Sequence, residues 1–166
     1  MALLVLLILA SCCLSSSLAT NATLHSPPAY DTSLKFTNTS LPIAIQGIIL
    51  CQEYNSCQPV KGAMMRLSCA AFNNRGKQLA QFLAMGSPSD DKGYFFAMFN
   101  PYQMGMQAYK KVQCKVCLGY SPLETCSFPS DVNNGFSGAL LTSPRLLVGS
   151  TNMNLYTVKP FYYISP

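Results

Sequence analysis

Beyond Pro42, apolar and polar positions along most of the chain repeat with a period of two. In Gly62–Cys69, the residues Ala63, Met65, Leu67 and Cys69 share one side, while Met64, Arg66 and Ser68 share the other. That alternation predicts a strand buried on one face. Lys111–Leu118 repeats it, with Val112, Cys114, Val116 and Leu118 inward and Lys111, Gln113 and Lys115 outward. Ile43–Cys51 and Gly93–Phe99 are apolar on both sides, which is the pattern of central strands. Leu155–Tyr163 predicts a last strand, and Pro160, lacking an N–H, places its C-terminal half at a sheet edge. Gln78–Met85 is a weaker strand candidate. Turn formers separate the runs at Asn73–Gly76, Ser87–Gly93, Asn133–Gly135 and Ser143-Pro144. No long amphipathic helix and no internal repeat is seen. Short strands divided by turns predict an all-β fold, an antiparallel sandwich or barrel.

The region before Pro42 has a different character. Met1–Ala10 is almost wholly apolar, too short to span a bilayer, and Ser17-Leu18-Ala19 offers the small residues of a signal-peptidase site. Residues 1–19 are therefore expected to be a removed signal peptide. Residues 20–42 are polar and proline-bearing, a composition that cannot bury a core and predicts a flexible arm. The sequons at Asn21 and Asn38 fall inside it and predict glycosylation. The β-domain is expected over 43–166. The C-terminus carries no hydrophobic tail of the kind that signals a lipid anchor.

Export changes the meaning of the cysteines. Of eight, Cys12 and Cys13 would leave with the signal peptide, and Cys51, Cys57, Cys69, Cys114, Cys117 and Cys126 remain. An even number in a small exported domain predicts three disulfides, although six cysteines allow about fifteen pairings. Cys114-Lys-Val-Cys117 has the spacing of a redox motif or half a zinc site. A redox motif needs a helix N-terminus, and zinc needs two more ligands, which Cys51 and Cys57 could supply in principle. On a strand, the odd spacing turns the two sulfurs to opposite faces, so each is expected to bond elsewhere.

Catalysis finds little support. The sole histidine, His25, lies in the arm, and Asp90-Asp91 stands in a turn ending at Gly93, where carboxylates ordinarily form the turn. Glu53, Glu124 and Asp131 are isolated. Binding fares better, because eleven Lys and Arg against six Asp and Glu leave a formal charge of +5. Outside a cell, that excess suits an acidic polysaccharide or a membrane surface more than nucleic acid, or serves solubility alone. Lys110, Lys111, Lys115, Lys159 and Arg145, with Tyr109 as a ring that can stack on a sugar, form the candidate glycan-binding set.

Several segments together resemble a known family. They are Gln46–Cys51, Cys57–Ala63, Leu67-Ser-Cys69, Asp91-Lys-Gly-Tyr-Phe95, Cys114-Lys-Val116, Ser121–Cys126 and Asn133-Asn-Gly135. From about Ile43 onward the sequence resembles the plant pollen Ole e I-like/extensin family. It is most similar to the cysteine-containing (PAC) domain of proline-rich and arabinogalactan cell-wall proteins. The resemblance implies a secreted, non-enzymatic wall or extracellular-matrix protein with a β-sandwich or barrel of about seven strands and no cofactor or metal. For that branch the resemblance implies binding to pectic side chains or to O-glycans of hydroxyproline-rich proteins. With the basic charge, the expected partners are acidic or galactan-rich wall polysaccharides or O-glycosylated wall proteins, with no nucleic acid and no membrane after signal cleavage. The implied disulfides are Cys69–Cys114, Cys51–Cys126 and, for the remaining pair, Cys57–Cys117. An extracellular protein-interaction or signalling module in growth or pollen-tube development is the alternative.

Overall fold

The computed structural model describes residues 41–54 and 56–165. The expected signal peptide, residues 20–40 of the arm with His25, Asn21 and Asn38, and Asn55 lie outside the described residues. Eleven strands run in order: β1 (Ile43–Glu53), β2 (Ser56–Pro59), β3 (Met64–Phe72), β4 (Gln78–Met85), β5 (Tyr94–Phe99), β6 (Lys111–Tyr120), β7 (Phe128–Pro129), β8 (Ala139–Leu140), β9 (Arg145–Leu147), β10 (Met153–Thr157) and β11 (Phe161–Ile164). The described residues contain three single-turn 3-10 segments and no α-helix.

The strands form two sheets packed as a sandwich that does not close into a barrel. In the four-stranded sheet the order is β4-β3-β6-β8, antiparallel throughout. The seven-stranded sheet is organised around β1. The first half of β1 lies between β5 and β10, and its second half between β2 and β11. The exchange happens at Gly47, where a Cβ would sit 2.8 Å from both the Phe95 ring and Val158 Cγ2. Only a bare backbone lets those two side chains close over it.

Three features depart from the pattern read along the chain. β1 runs parallel to β10 and β11, so the sheet is mixed. The expected last strand is broken at Val158–Pro160, and β11 beyond the proline lies between β1 and β7 and not at an edge. The missing N–H of Pro160 falls in the break itself, where no ladder bond is lost. β5, apolar on both sides, pairs with β1 alone and is not a central strand. The count rises from about seven to eleven because one long strand splits and several two- or three-residue bridges add to the edges.

The inward residues that alternation predicts are the core. Ile45, Ile49, Phe95 and Phe161 from the seven-stranded sheet meet Met65, Leu67, Val112 and Val116 from the four-stranded sheet, all at 0–1% exposure. Each such side chain contributes about 1.5–3 kcal/mol by leaving water. Two disulfides reinforce this core. Cys69 and Cys114 face each other across β3 and β6, and Cys51 joins β1 to Cys126 in the turn Glu124–Cys126. Both are pairs that the family resemblance implied.

The third implied pair, Cys57–Cys117, is not formed. Cys117 is a buried thiol, while Cys57 is held in a disulfide of its own. The physical reason is layer geometry. Cys57 stands beside Gln52 in the seven-stranded sheet, whereas Cys117 stands beside Arg66 in the four-stranded sheet. The odd spacing that turns Cys114 inward to Cys69 turns Cys117 to the other face.

Two buried phenols bear on stability. Tyr156 is buried, its hydroxyl has no hydrogen-bond partner among the described residues, and burial pushes its pKa from 10.0 up to about 12. Burial, helped by the nearby Cys117, raises the pKa of Tyr163 further. A raised folded-state pKa means that the neutral phenols support the fold fully below the unfolded value. That support is lost as pH rises from about 10 toward the folded value. Urea midpoints should hold up to about pH 10 and fall above it. Tyr156→Phe should flatten that fall and, by removing an unpartnered buried hydroxyl, raise stability near neutrality by about 1–3 kcal/mol. A Tyr156→Phe protein less stable than its parent would contradict this account.

Candidate binding surface

The outer face of the four-stranded sheet brings together residues that the chain keeps apart. Residues directly opposite in an antiparallel ladder share a face, so the register lays out the surface in rows. One row reads Leu83, Ser68, Lys115, Leu140, and the next reads Met85, Arg66, Cys117. Lys111 stands beside Phe72 at the far end of β6, and Tyr120 stands beside Met64 at the near end. Lys111 to Cys117 spans six residues, so the basic positions extend over about 20 Å along the strands.

Each cation is held differently. The Arg66 guanidinium reaches the Cys117 thiol, with Nη2 to Sγ at 3.6 Å. The aliphatic stem of Lys115 lies against the backbone of Gly138, where a Cβ would stand 3.1 Å from Lys115 Cβ and φ is +96°. Glycine serves there twice, by leaving space for the lysine stem and by adopting a left-handed backbone. No ion pair ties down Arg66, Lys111 or Lys115 among the described residues. Apolar side chains border them, with Leu83 60% and Met85 47% exposed.

The distribution of charge sharpens the picture. The strands of this sheet contain no acidic residue, and Arg75, Lys77 and Lys110 add further positive charge just beyond their ends. The described acids, Glu53, Asp90, Asp91, Glu124 and Asp131, all lie elsewhere. Asp90 Oδ1 accepts the N–H groups of Lys92 at 2.9 Å and Tyr94 at 2.8 Å, which closes the turn before β5. Asp131 accepts the Ser137 N–H at 2.8 Å, and that bond holds its carboxyl below the usual carboxylate range. These two carboxylates are occupied in shaping loops.

The six candidate residues divide between the layers. Lys111 and Lys115 sit on the outer face of β6, with Lys110 exposed just before it. Arg145 pairs with Leu155 in the seven-stranded sheet, and Lys159 lies in the link between β10 and β11. Tyr109 packs edge-on against Phe82, ring centroids 5.7 Å apart, and forms part of the core boundary. Arg66 and Tyr120 belong to the surface although sequence reasoning left them out of the set. Alternation had already put Arg66 on the solvent side of its strand; the pairing of β3 with β6 was the missing information.

A disulfide-bridged β-sandwich with a basic, apolar-bordered sheet face is thus the class of molecule defined here. No family model matches the chain. Whole-protein comparison finds similarity to the seed and root hair protective protein of Arabidopsis thaliana, 38% identical over 130 residues, 78% of this chain and 77% of that protein. Proline-rich protein 3 of the same plant is 33% identical over 129 residues, covering 74% of this chain and 38% of that protein. Proline-rich protein 1 is 31% identical over 120 residues, covering 72% and 33%. The chain spans about a third of the length of those two relatives. Among solved structures, the plantain pollen allergen Pla l 1 aligns over 75% of this chain and 94% of its own, at 14% identity and a TM-score of 0.42. A 3-chlorocatechol 1,2-dioxygenase from Rhodococcus opacus aligns at 12% identity over 77% of this chain and 62% of its own, with a TM-score of 0.39. The chain belongs to the plant Ole e I-like/extensin family, on the branch of the seed and root hair protective and proline-rich proteins.

Proposed function

We propose that the protein is an exported, non-enzymatic component of the plant cell wall that binds acidic wall polysaccharide through the outer face of its four-stranded sheet. The observation that carries this reading is the segregation of charge. Among the described residues, Arg66, Lys111 and Lys115 have no ion-pair partner, and they project from strands that contain no acid. A polyuronate offers a row of carboxylates along an extended chain, and the apolar border of Leu83, Met85 and Tyr120 offers contact for sugar faces. Removal of residues 1–19 and glycosylation of Asn21 and Asn38 in the arm 20–42 belong to the same proposal. The non-enzymatic reading rests on relatives whose names denote protective and proline-rich proteins, and on loop carboxylates already engaged in turns.

Retention on immobilised polygalacturonate tests the proposal. Binding at low salt should weaken steadily as salt rises, because exposed charge pairs are screened over about 10 Å at 0.1 M. Neutral galactan should retain the protein far less. Equal retention on both polymers without salt dependence, or no retention on either, overturns it.

A further inference from the structure

The seven-stranded sheet ends at β5, and the way it ends points to a partner. The Ile49 N–H donates to the Gly93 carbonyl at 2.8 Å. With the β1–β5 register, this places the bonded ladder positions at Phe95, Ala97 and Phe99. The main-chain groups of the alternate residues therefore face away from β1. Those of Tyr94 are already used, since its N–H and carbonyl both bond to Asp90, each at 2.8 Å. Phe96 and Met98 have no ladder partner on that side among the described residues.

Edge strands are ordinarily guarded by lysine, proline, a bulge or a covering segment. Tyr94–Phe99 reads Tyr-Phe-Phe-Ala-Met-Phe, without charge or proline, and its register with β1 is unbroken over six pairs. The outward side chains are apolar and open, with Phe96 40% and Met98 58% exposed.

We propose that β5 pairs antiparallel with β5 of a second copy of this chain, about a two-fold axis beside Ala97. That register sets Phe96 opposite Met98 of the other copy, and Met98 opposite its Phe96. Four main-chain hydrogen bonds form, and on the outer face each thioether meets a ring, a favourable pairing. The same patch serves both copies, as two-fold association requires. Charge distribution also favours a second copy. The basic residues cluster on the other sheet, and Asp90, Asp91 and Lys92 before β5 would lie toward the uncharged Tyr102–Met104 of the partner. A charged extended peptide would find nothing complementary along this strand. The dimer leaves both four-stranded sheets open and is bivalent; this consequence, unlike the pairing itself, rests on the polysaccharide reading.

Sedimentation velocity of the full exported protein over rising concentration tests the pairing, with Phe96→Lys, Met98→Lys and, on the other sheet, Leu83→Lys. The parent and Leu83→Lys should dimerise. Phe96→Lys and Met98→Lys should raise the dissociation constant at least about tenfold, with unchanged thermal midpoints and unchanged binding of short uronate oligomers. Several outcomes overturn the pairing. They are a parent that stays monomeric, dimers that survive both β5 substitutions, dimers lost in Leu83→Lys, and a monomer whose β5 captures an added extended peptide instead. Loss of oligomer binding with the dimer intact refutes only the polysaccharide reading.

Discussion

Replacing both Cys69 and Cys114 with alanine lowers the free energy of unfolding by about 2–5 kcal/mol. The bridge closes a loop of sequence separation 45, and without it the unfolded chain regains the entropy of that loop. A bridge of this span is expected to stabilise by about 4 kcal/mol on the chain-entropy account. Both sulfurs are fully buried between β3 and β6, so their removal also costs packing. For a domain whose whole stability is of the order of 5–15 kcal/mol, the change is large. In urea, the midpoint should drop and the slope should rise, because the released chain exposes more surface on unfolding. Cys117→Ala is the internal comparison. It removes a buried thiol but no cross-link, and its cost should be the smaller of the two. If the double substitution costs no more than Cys117→Ala, the bridge is not what holds the four-stranded sheet to its register.

The second large effect concerns binding. Reversing Arg66, Lys111 and Lys115 to glutamate removes two units of charge at each site and takes the formal net charge from +5 to −1. Exposed ion pairs contribute about 0.2–1 kcal/mol each. Losing three attractive contacts and creating three repulsive ones should weaken binding to polygalacturonate about tenfold or more. Net charge alone could produce part of that loss, so the comparison is a triple reversal at Lys92, Arg145 and Lys159. These belong to the seven-stranded sheet and its connections, and their reversal changes the total charge equally. A markedly smaller loss there locates the contact on the outer face of the four-stranded sheet. Equal losses from the two triples would assign binding to overall charge and remove that face from the account.

These expectations draw unequally on sequence and on fold. The side on which a residue lies is a local property, because consecutive side chains on an extended backbone point in opposite directions. Met65, Leu67, Val112 and Val116 were therefore legible as core, and Arg66, Lys111 and Lys115 as solvent-facing, before any strand had a neighbour. The turns at Asn73–Gly76 and Ser87–Gly93 were legible for the same reason, since Asn73 and Asp90 bond their own nearby backbone. The opposite facing of Cys114 and Cys117 also follows from spacing alone.

Strand pairing is not local, and alternation carries no information about it. The adjacency of β3 and β6 joins Arg66 to the surface that Lys111 and Lys115 began, and it separates Cys57 from Cys117. The parallel return of β10 and β11 along β1 depends on where the chain re-enters after building the other sheet. β7, β8 and β9 are too short to show any period. An apolar run such as Tyr94–Phe99 reads alike at the centre and at the edge of a sheet, because both faces are described by the sequence and the hydrogen-bonding edges are not. The amino-acid order determined which residues face the core and which face water. Only the tertiary structure decided which strands lie side by side, because that choice is a competition among long-range pairings of similar local preference.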